Sequence, residues 1–346
     1  MTQCFSVEPK PCECTRRQLM IVTVTTVVVL VIGILSLALA LYGGYVAFGI
    51  TEGASGENEV RQMSEHQYYL LGIIGLIVLV ARLLNVPIFF WMLQSLVPYC
   101  PGAMCMYGVI NVGAPYSTIA LVLKLSLPFA YGLWITFEFA NRREPLLPLL
   151  NKLARSFILI LLPLVLIDSA VDLLLVSSIQ PAYAPCCSSI YDSAPPFSPS
   201  ALFGPQFGFV IVFLTVALSI TLILNQWLEK KAKVLPYVTM ILALTSALFY
   251  LLTVHDTLAP LVLGLADHHC PYCLFQEFPD TAFFAGLFWI GVASAGWRSI
   301  LEVSWQKGHL TEESIKGLAG FLLKLSSITL LFSMVSLVSH FLVALL

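Results

Sequence analysis

The sequence predicts an all-α membrane protein, a bundle of eight transmembrane helices. Of its 346 residues, 59% are apolar and only 10% are charged, whereas soluble proteins carry about 25% charged residues. The mean hydropathy is +0.91, and eight apolar stretches reach the roughly 20 residues that a helix needs to cross a bilayer. Helices are expected because an isolated strand would leave its backbone unbonded in lipid. The net charge of −2 gives no indication of nucleic-acid binding.

Each apolar stretch is assigned to one span, in the order 18–48, 68–97, 116–140, 153–178, 204–228, 234–254, 281–303 and 317–346. The first stretch is longer than the apolar region of a cleaved signal peptide, so it is interpreted as a retained helix. The last helix is expected to start near Thr311, because a threonine followed by Glu312 and Glu313 is typical of a helix N-terminus. The chain is treated as a single polytopic membrane domain, 1–346.

Basic residues predict the orientation of the bundle. Eight spans place both termini on the same side. The loops and helix ends of the opposite side carry eleven Lys and Arg residues, whereas the terminal side carries only Lys10, Arg16 and Arg17. The positive-inside rule makes the richer side cytoplasmic, which predicts that the termini and the cysteine-bearing loops are extracytoplasmic. Arg16 and Arg17, beside the first helix, favour the reverse orientation.

Nine cysteines are spaced regularly. Apart from Cys4 they form four pairs: Cys12/Cys14, Cys100/Cys105, Cys186/Cys187 and Cys270/Cys273. The steps Cys14 to Cys100, Cys100 to Cys186 and Cys186 to Cys270 are 86, 86 and 84 residues. Two spans lie in each interval, so the pattern predicts four helical hairpins under a cysteine-bearing extracytoplasmic cap, with repeat units 12–99, 100–185, 186–269 and 270–346. In an oxidising compartment such pairs become structural disulfides or redox shuttles.

The segment Asp267-His268-His269-Cys270-Pro-Tyr-Cys273 admits three interpretations. Its first four residues match the signature of protein palmitoyltransferases, but Leu258 to Ala266 lacks the upstream cysteines of that zinc-binding segment. His268 and His269 are the candidate metal ligands, with Cys270 and Cys273 beside them, although no metal site is predicted.

The third interpretation is a redox dithiol, because a Cys-x-x-Cys pair closes a small disulfide ring. The sequence CPYCLF, 270–275, resembles the active-site motif of the vitamin K epoxide reductase family. Members of that family are helical-bundle thiol oxidoreductases that pass electrons between a dithiol and a quinone. The resemblance implies that Cys270 and Cys273 are the quinone-facing pair. It also implies that Cys100/Cys105 or Cys186/Cys187 is the shuttle pair. It covers six residues, and the family core has four helices rather than eight.

Four charges are predicted within the membrane. Asp168 and Asp172 share a face of the fourth span, Arg82 lies near the middle of the second, and Lys124 lies in the third. Comparison of depths predicts the pairs Arg82–Asp168 and Lys124–Asp172. Such pairs tie helices together, or relay protons to a quinone or a transported solute.

The sequence therefore predicts an integral membrane protein with extracytoplasmic thiol–disulfide or electron-transfer chemistry. Cys270 and Cys273 are the catalytic candidates, and the predicted partners are the lipid bilayer with a quinone or an extracytoplasmic thiol protein. The alternative is a non-enzymatic membrane subunit or transporter with structural disulfides on its outer face. The sequence leaves open whether the chain is an enzyme.

Overall fold

The computed structural model describes residues 22–53, 58–143, 147–180, 183–184, 198–228 and 233–346. Within these ranges the secondary structure is helical, without strands. Eight helical stretches of this described part are long and apolar enough to cross a membrane. These stretches confirm the prediction of a multi-pass, all-α membrane protein.

The first half of the chain supplies four of the spans. They are formed by α1 (Val24–Gly53), α2 (Asn58–Leu96), α4 (Tyr116–Arg143), and α5 (Leu147–Ser156) with α6 (Leu162–Ser178). A π-helical turn, Phe157–Leu161, joins α5 to α6 without a break. The short helix α3 (Met106–Val112) connects α2 to α4 at the end of the bundle that we call the cysteine end.

The second half supplies the other four spans. They are α8 (Pro205–Trp227), α9 (Leu235–Leu252) with α10 (Ala259–Leu263), α12 (Pro279–Gln306) and α13 (Glu312–Leu345). The short helix α7 (Pro199–Phe203) precedes them, and another, α11 (Pro271–Glu277), connects α10 to α12. The predicted start of the last helix is confirmed, because the Thr311 hydroxyl accepts a hydrogen bond from the Ser314 amide at 3.2 Å.

The sixth span is longer than the predicted 234–254. A π-helical turn, Thr253–Leu258, carries the helix on into α10. The turn contains Asp256, whose buried carboxylate accepts hydrogen bonds from the hydroxyls of Ser198 and Ser200 and from the Ser200 amide at 3.1 Å. Because this carboxylate is satisfied by protein donors, the helix continues through a position that the polar sequence His255-Asp256-Thr257 marked as an end.

Each half packs as a ring of four helices. In the first ring, α1 contacts α2, α2 contacts α4, α4 contacts α6, and α6 returns to α1. In the second ring, α8, α9, α12 and α13 follow the same cyclic order. The first ring surrounds an apolar core around Trp134 and Phe157, whose rings are 5.4 Å apart. The second surrounds the stacked rings of Tyr250 and Phe288, 3.8 Å apart. The organisation as four hairpin repeats stays a prediction.

The two rings meet along α4, which contacts both α12 and α13. Gly132 on α4 faces the indole of Trp297 on α12, and a Cβ at this glycine would overlap the indole ring. Phe129, almost one turn earlier, packs edge-on against the same ring at 6.5 Å. The absence of a side chain at Gly132 therefore permits the close approach of the two halves.

Replacing Gly132 with alanine is expected to weaken this junction. An added Cβ must displace the Trp297 ring, and overpacking of this kind costs about 1–3 kcal/mol. Unfolding of the purified protein in detergent would measure the loss. Gly296→Ala is the matched control, because a Cβ at Gly296 meets nothing within 4 Å. Alanine is also favoured over glycine inside a helix by about 0.5–1 kcal/mol. Equal effects of the two substitutions would contradict the packing.

Candidate functional site

Three cysteine sulfurs come together at the cysteine end of the bundle. The sulfurs of Cys105, Cys270 and Cys273 all lie within 4.8 Å of one another. Cys105 belongs to the first half of the chain and the other two to the second half, so the group bridges the two rings. We call these three residues the sulfur cluster.

A tight turn positions Cys105. The segment leaves α2 through a 3₁₀ turn, Val97–Tyr99, and reverses at Gly102, which has φ of +88°. A Cβ at Gly102 would stand 2.5 Å from the carbonyl oxygen of Ala184. Both the positive φ and the close approach require glycine. Cys105 then stands immediately before α3, and its carbonyl accepts the first helical bond from the Gly108 amide at 3.0 Å.

Cys270 and Cys273 occupy the start of another short helix. Gly264, with φ of +66°, ends α10, and the chain returns to α11 with Pro271 at its first helical position. Proline suits that position because its fixed φ is helical and it has no N–H group to satisfy. Cys273 follows Cys270 by three residues, so both side chains lie on neighbouring parts of one turn. The helix begins at the motif itself rather than at α12, which starts only at Pro279.

The two contributions to the sulfur cluster are alike. Each has the sequence Cys-x-Tyr, Cys105 with Tyr107 and Cys270 with Tyr272, and each opens a seven-residue helix. The two tyrosine rings approach with their centroids 5.8 Å apart. The helices α3 and α11 also stand at equivalent places, after the second span of each ring. The recurrent Cys-x-Tyr is a signal that singles out Cys105 from Cys100, and the sequence analysis did not use it.

Two of the three cysteines of the sulfur cluster are buried. Cys105 and Cys270 are 1% and 0% exposed, whereas Cys273 is partly exposed. Burial, followed by the negative charge that Cys270, Tyr107 and Cys105 carry when ionised, raises the pKa of Tyr272 to about 12. Its hydroxyl therefore stays neutral at physiological pH and adds no negative charge beside the sulfurs.

Other predicted site residues lie elsewhere. Cys100 is buried in a separate apolar cluster with Phe89 and Leu93, so only one member of its predicted pair reaches Cys270. The described cysteines, Cys100, Cys105, Cys270 and Cys273, form no disulfide with one another. The remaining candidates lie outside the described residues: Cys12, Cys14, Cys186 and Cys187.

The candidate metal ligands His268 and His269 are both buried beside the cluster. The group of mutually close ligand atoms nevertheless consists of the three sulfurs, with neither histidine in it. The His269 ring lies 6.1 Å from that of His255, centroid to centroid, and its Nδ1 has no hydrogen-bond partner among the residues that the structure describes. His340, on the last span, contacts Asp280 at 2.9 Å through Nε2.

A second polar centre lies inside the first ring. Arg82 and Lys124 both contact Asp168, Lys124 at 2.8 Å, and Lys124 also contacts Asp172 at 2.6 Å. Arg82 donates a further hydrogen bond to the Ser169 hydroxyl at 2.9 Å. Both predicted pairs are present, and the Lys124–Asp168 contact joins them into one group. We call Arg82, Lys124, Asp168 and Asp172 the ion cluster.

The ion cluster is balanced in charge and nearly inaccessible, since none of its four residues is more than 2% exposed. Asn85 lies one turn after Arg82, and Phe89, one turn further, packs against the Lys124 ammonium at 5.5 Å. Asn85 is therefore on the α2 face that contacts the cluster. Its amide has no partner in the described ranges. The ion cluster holds α2, α4 and α6 together. The buried amide of Asn85 beside it can still form hydrogen bonds.

Comparison of the chain with protein-family models, with curated proteins and with solved structures finds no match.

A double-mutant cycle tests the ion cluster. Removing one partner of a buried pair leaves an uncompensated charge and costs about 3–5 kcal/mol. Arg82→Ala and Asp168→Ala together are therefore expected to cost clearly less than the sum of the two single changes, as measured by unfolding in detergent. Arg82→Ala with Glu302→Gln is the control, because Glu302 pairs with Arg298 in the other ring. Those changes should add to within about 0.5 kcal/mol. Additivity of Arg82→Ala with Asp168→Ala would contradict a coupled cluster.

Proposed function

We propose that the chain is an integral membrane thiol–disulfide oxidoreductase. In this proposal Cys270 and Cys273 are the catalytic dithiol, and Cys105 is the sulfur that exchanges with them. The observation that carries the proposal is the mutual approach of the three sulfurs to within 4.8 Å. A third sulfur close to a Cys-x-x-Cys pair supports disulfide exchange, because that reaction requires a thiolate beside a disulfide.

The Cys270–Cys273 disulfide oxidises a dithiol substrate in two steps. One substrate thiolate attacks the sulfur of Cys273, the more exposed of the pair. This forms a mixed disulfide and releases Cys270 as a thiolate, which takes up a proton. The second substrate thiolate then attacks the substrate sulfur of the mixed disulfide, which closes the substrate disulfide and releases Cys273 as a thiolate, which takes up a proton. Two electrons and two protons have passed from the substrate to the protein.

Cys105 gives the disulfide a second position. Its thiolate can attack Cys270 in the Cys270–Cys273 disulfide, which forms a Cys105–Cys270 bond and returns Cys273 as a thiol. No electrons are gained or lost in this step. It moves the oxidised bond from the second half of the chain to the junction between the two rings, where it is more deeply buried. In this proposal Cys105 takes the shuttle role that the family resemblance implies for a cysteine pair.

A membrane quinone is the proposed redox partner. A quinone that accepts two electrons and two protons from the Cys270–Cys273 dithiol becomes a hydroquinone and leaves the disulfide, so the reaction balances without another reagent. The apolar helices of the two four-helix rings suit a partner that is dissolved in the lipid bilayer. A thiol protein in the extracytoplasmic compartment is the proposed partner for the exchange at Cys273.

The redox potential of the dithiol distinguishes this function from structural disulfides. The purified protein would be equilibrated in thiol–disulfide buffers of stepped potential, and its cysteines alkylated and quantified by mass spectrometry. We expect the Cys270–Cys273 pair to change between its dithiol and disulfide forms at a potential above about −300 mV. Structural disulfides, by contrast, are reduced only at potentials below about −300 mV. Cys105→Ser is expected to abolish the Cys105–Cys270 species, whereas the matched Cys100→Ser is expected to change neither species.

Two results would overturn the proposal. One is a Cys270–Cys273 pair that stays disulfide-bonded below about −300 mV, which would support the alternative of a membrane subunit or transporter with structural disulfides. The other is a pair that stays reduced throughout. The quinone is tested separately with a short-chain quinone analogue and the reduced protein. Reduction of the quinone analogue should be lost in Cys270→Ser and retained in Cys100→Ser.

The proposal places the sulfur cluster on the extracytoplasmic side. A reporter active only outside the cytoplasm is therefore expected to be active when fused after Leu346. The control fusion, after Lys231 in a loop of the predicted cytoplasmic side, should be inactive. The reversed pattern would contradict the orientation.

A further inference from the structure

We propose that the sulfur cluster, when reduced, binds one monovalent copper ion through its three sulfurs. The inference concerns the same residues as the proposed redox function but does not depend on it. It rests on the geometry of the donor set, on the nature of the donors and on their burial.

The sulfur positions fit a small three-coordinate site. A metal–sulfur bond of about 2.3 Å places three sulfurs around a central ion at roughly 4.0 Å from one another when the arrangement is planar and trigonal. The three sulfurs lie within 4.8 Å of one another. Side-chain rotations of Cys105, Cys270 and Cys273 are enough to close the remaining difference, because each cysteine has one side-chain torsion that moves its sulfur.

The donor set selects a soft cation. The ligand atoms of the group are sulfurs alone, without a carboxylate or an imidazole. Thiolates favour monovalent copper and zinc, whereas oxygen donors favour calcium and magnesium. Structural zinc takes four ligands in a tetrahedron, and three sulfurs leave that set one short. His269, whose Nδ1 has no partner in the described part of the chain, is the residue that a zinc ion would have to recruit.

Burial adds a reason for a resident cation. Cys105 and Cys270 are almost fully enclosed, and thiolates packed together in such surroundings repel one another. A copper ion offsets this repulsion. Each sulfur that binds the ion releases its proton, so binding is expected to weaken as the pH falls.

Copper binding and disulfide formation exclude each other. A Cys270–Cys273 disulfide leaves Cys105 as the one thiolate of the cluster, which cannot hold the ion alone. Reduction by two electrons restores all three ligands. The cluster would therefore take up copper in its reduced state and release it when the dithiol is oxidised.

The test uses the full-length protein, reduced and kept without oxygen in detergent. Monovalent copper is supplied with a competing chromogenic chelator, and the reactivity of each cysteine towards an alkylating reagent is followed by mass spectrometry. We expect copper to protect Cys105, Cys270 and Cys273 together, by at least about tenfold in alkylation rate, and to leave Cys100 unchanged. X-ray absorption should show sulfur neighbours at about 2.3 Å.

Variants separate the possible outcomes. Cys105→Ser is expected to remove protection of Cys270 and Cys273, while Cys100→Ser and His269→Ala retain it. If copper leaves the three thiols as reactive as in the metal-free protein, the site does not exist. Protection by zinc rather than copper, lost in His269→Ala, would overturn the three-sulfur assignment. The redox titration is performed without metal, so it is independent of copper binding. If Cys270 and Cys273 interconvert in that titration but copper does not protect the three cysteines from alkylation, the copper site is refuted and the proposed redox function is not.

Discussion

The structure depends on the absence of water partners inside the membrane. In that environment each backbone polar group must be satisfied by the protein. Backbone groups are satisfied by uninterrupted helices, including the π-helical turns that carry α5 into α6 and α9 into α10. The charges of the first ring are gathered into one balanced group, in which Lys124 bridges Asp168 and Asp172. The sulfur cluster lies outside these spans, at the cysteine end of the bundle.

Two rings with the same cyclic order explain why the sulfurs meet. The connection after the second span of each ring forms a seven-residue helix that begins directly after a cysteine, Cys105 in one and Cys270 in the other. When α4 packs on the second ring, the two connections face each other, and Tyr107 stacks at a tilt on Tyr272. The candidate site is thus a product of the junction between the halves, and neither half contains it alone. The ion cluster, by contrast, lies wholly within the first ring.

The sequence predicted those features that depend on local composition or on depth. Apolar length predicted the eight spans, Thr311 predicted the start of the last helix, and helix depth predicted the pairs Arg82–Asp168 and Lys124–Asp172. It did not predict the Lys124–Asp168 contact, because the depth of a residue in the membrane does not indicate which helices are neighbours. The prediction did not separate Cys105 from Cys100, five residues away, because the Cys-x-Tyr that Cys105 shares with Cys270 was not used and the two cysteines are 165 residues apart. The extension of the sixth span depended on serines that reach Asp256 from another segment.

Cys105 lies against Cys270 across the junction of the two rings. Mild oxidation of full-length Cys273→Ser protein, followed by mass-spectrometric mapping of its disulfides, tests this contact most directly, since the variant removes the competing bond to Cys273. The structure predicts a Cys105–Cys270 disulfide as the product at Cys270, formed rapidly and within a single chain. A Cys270 that remains reduced, or that bonds to Cys100 instead, would contradict the arrangement.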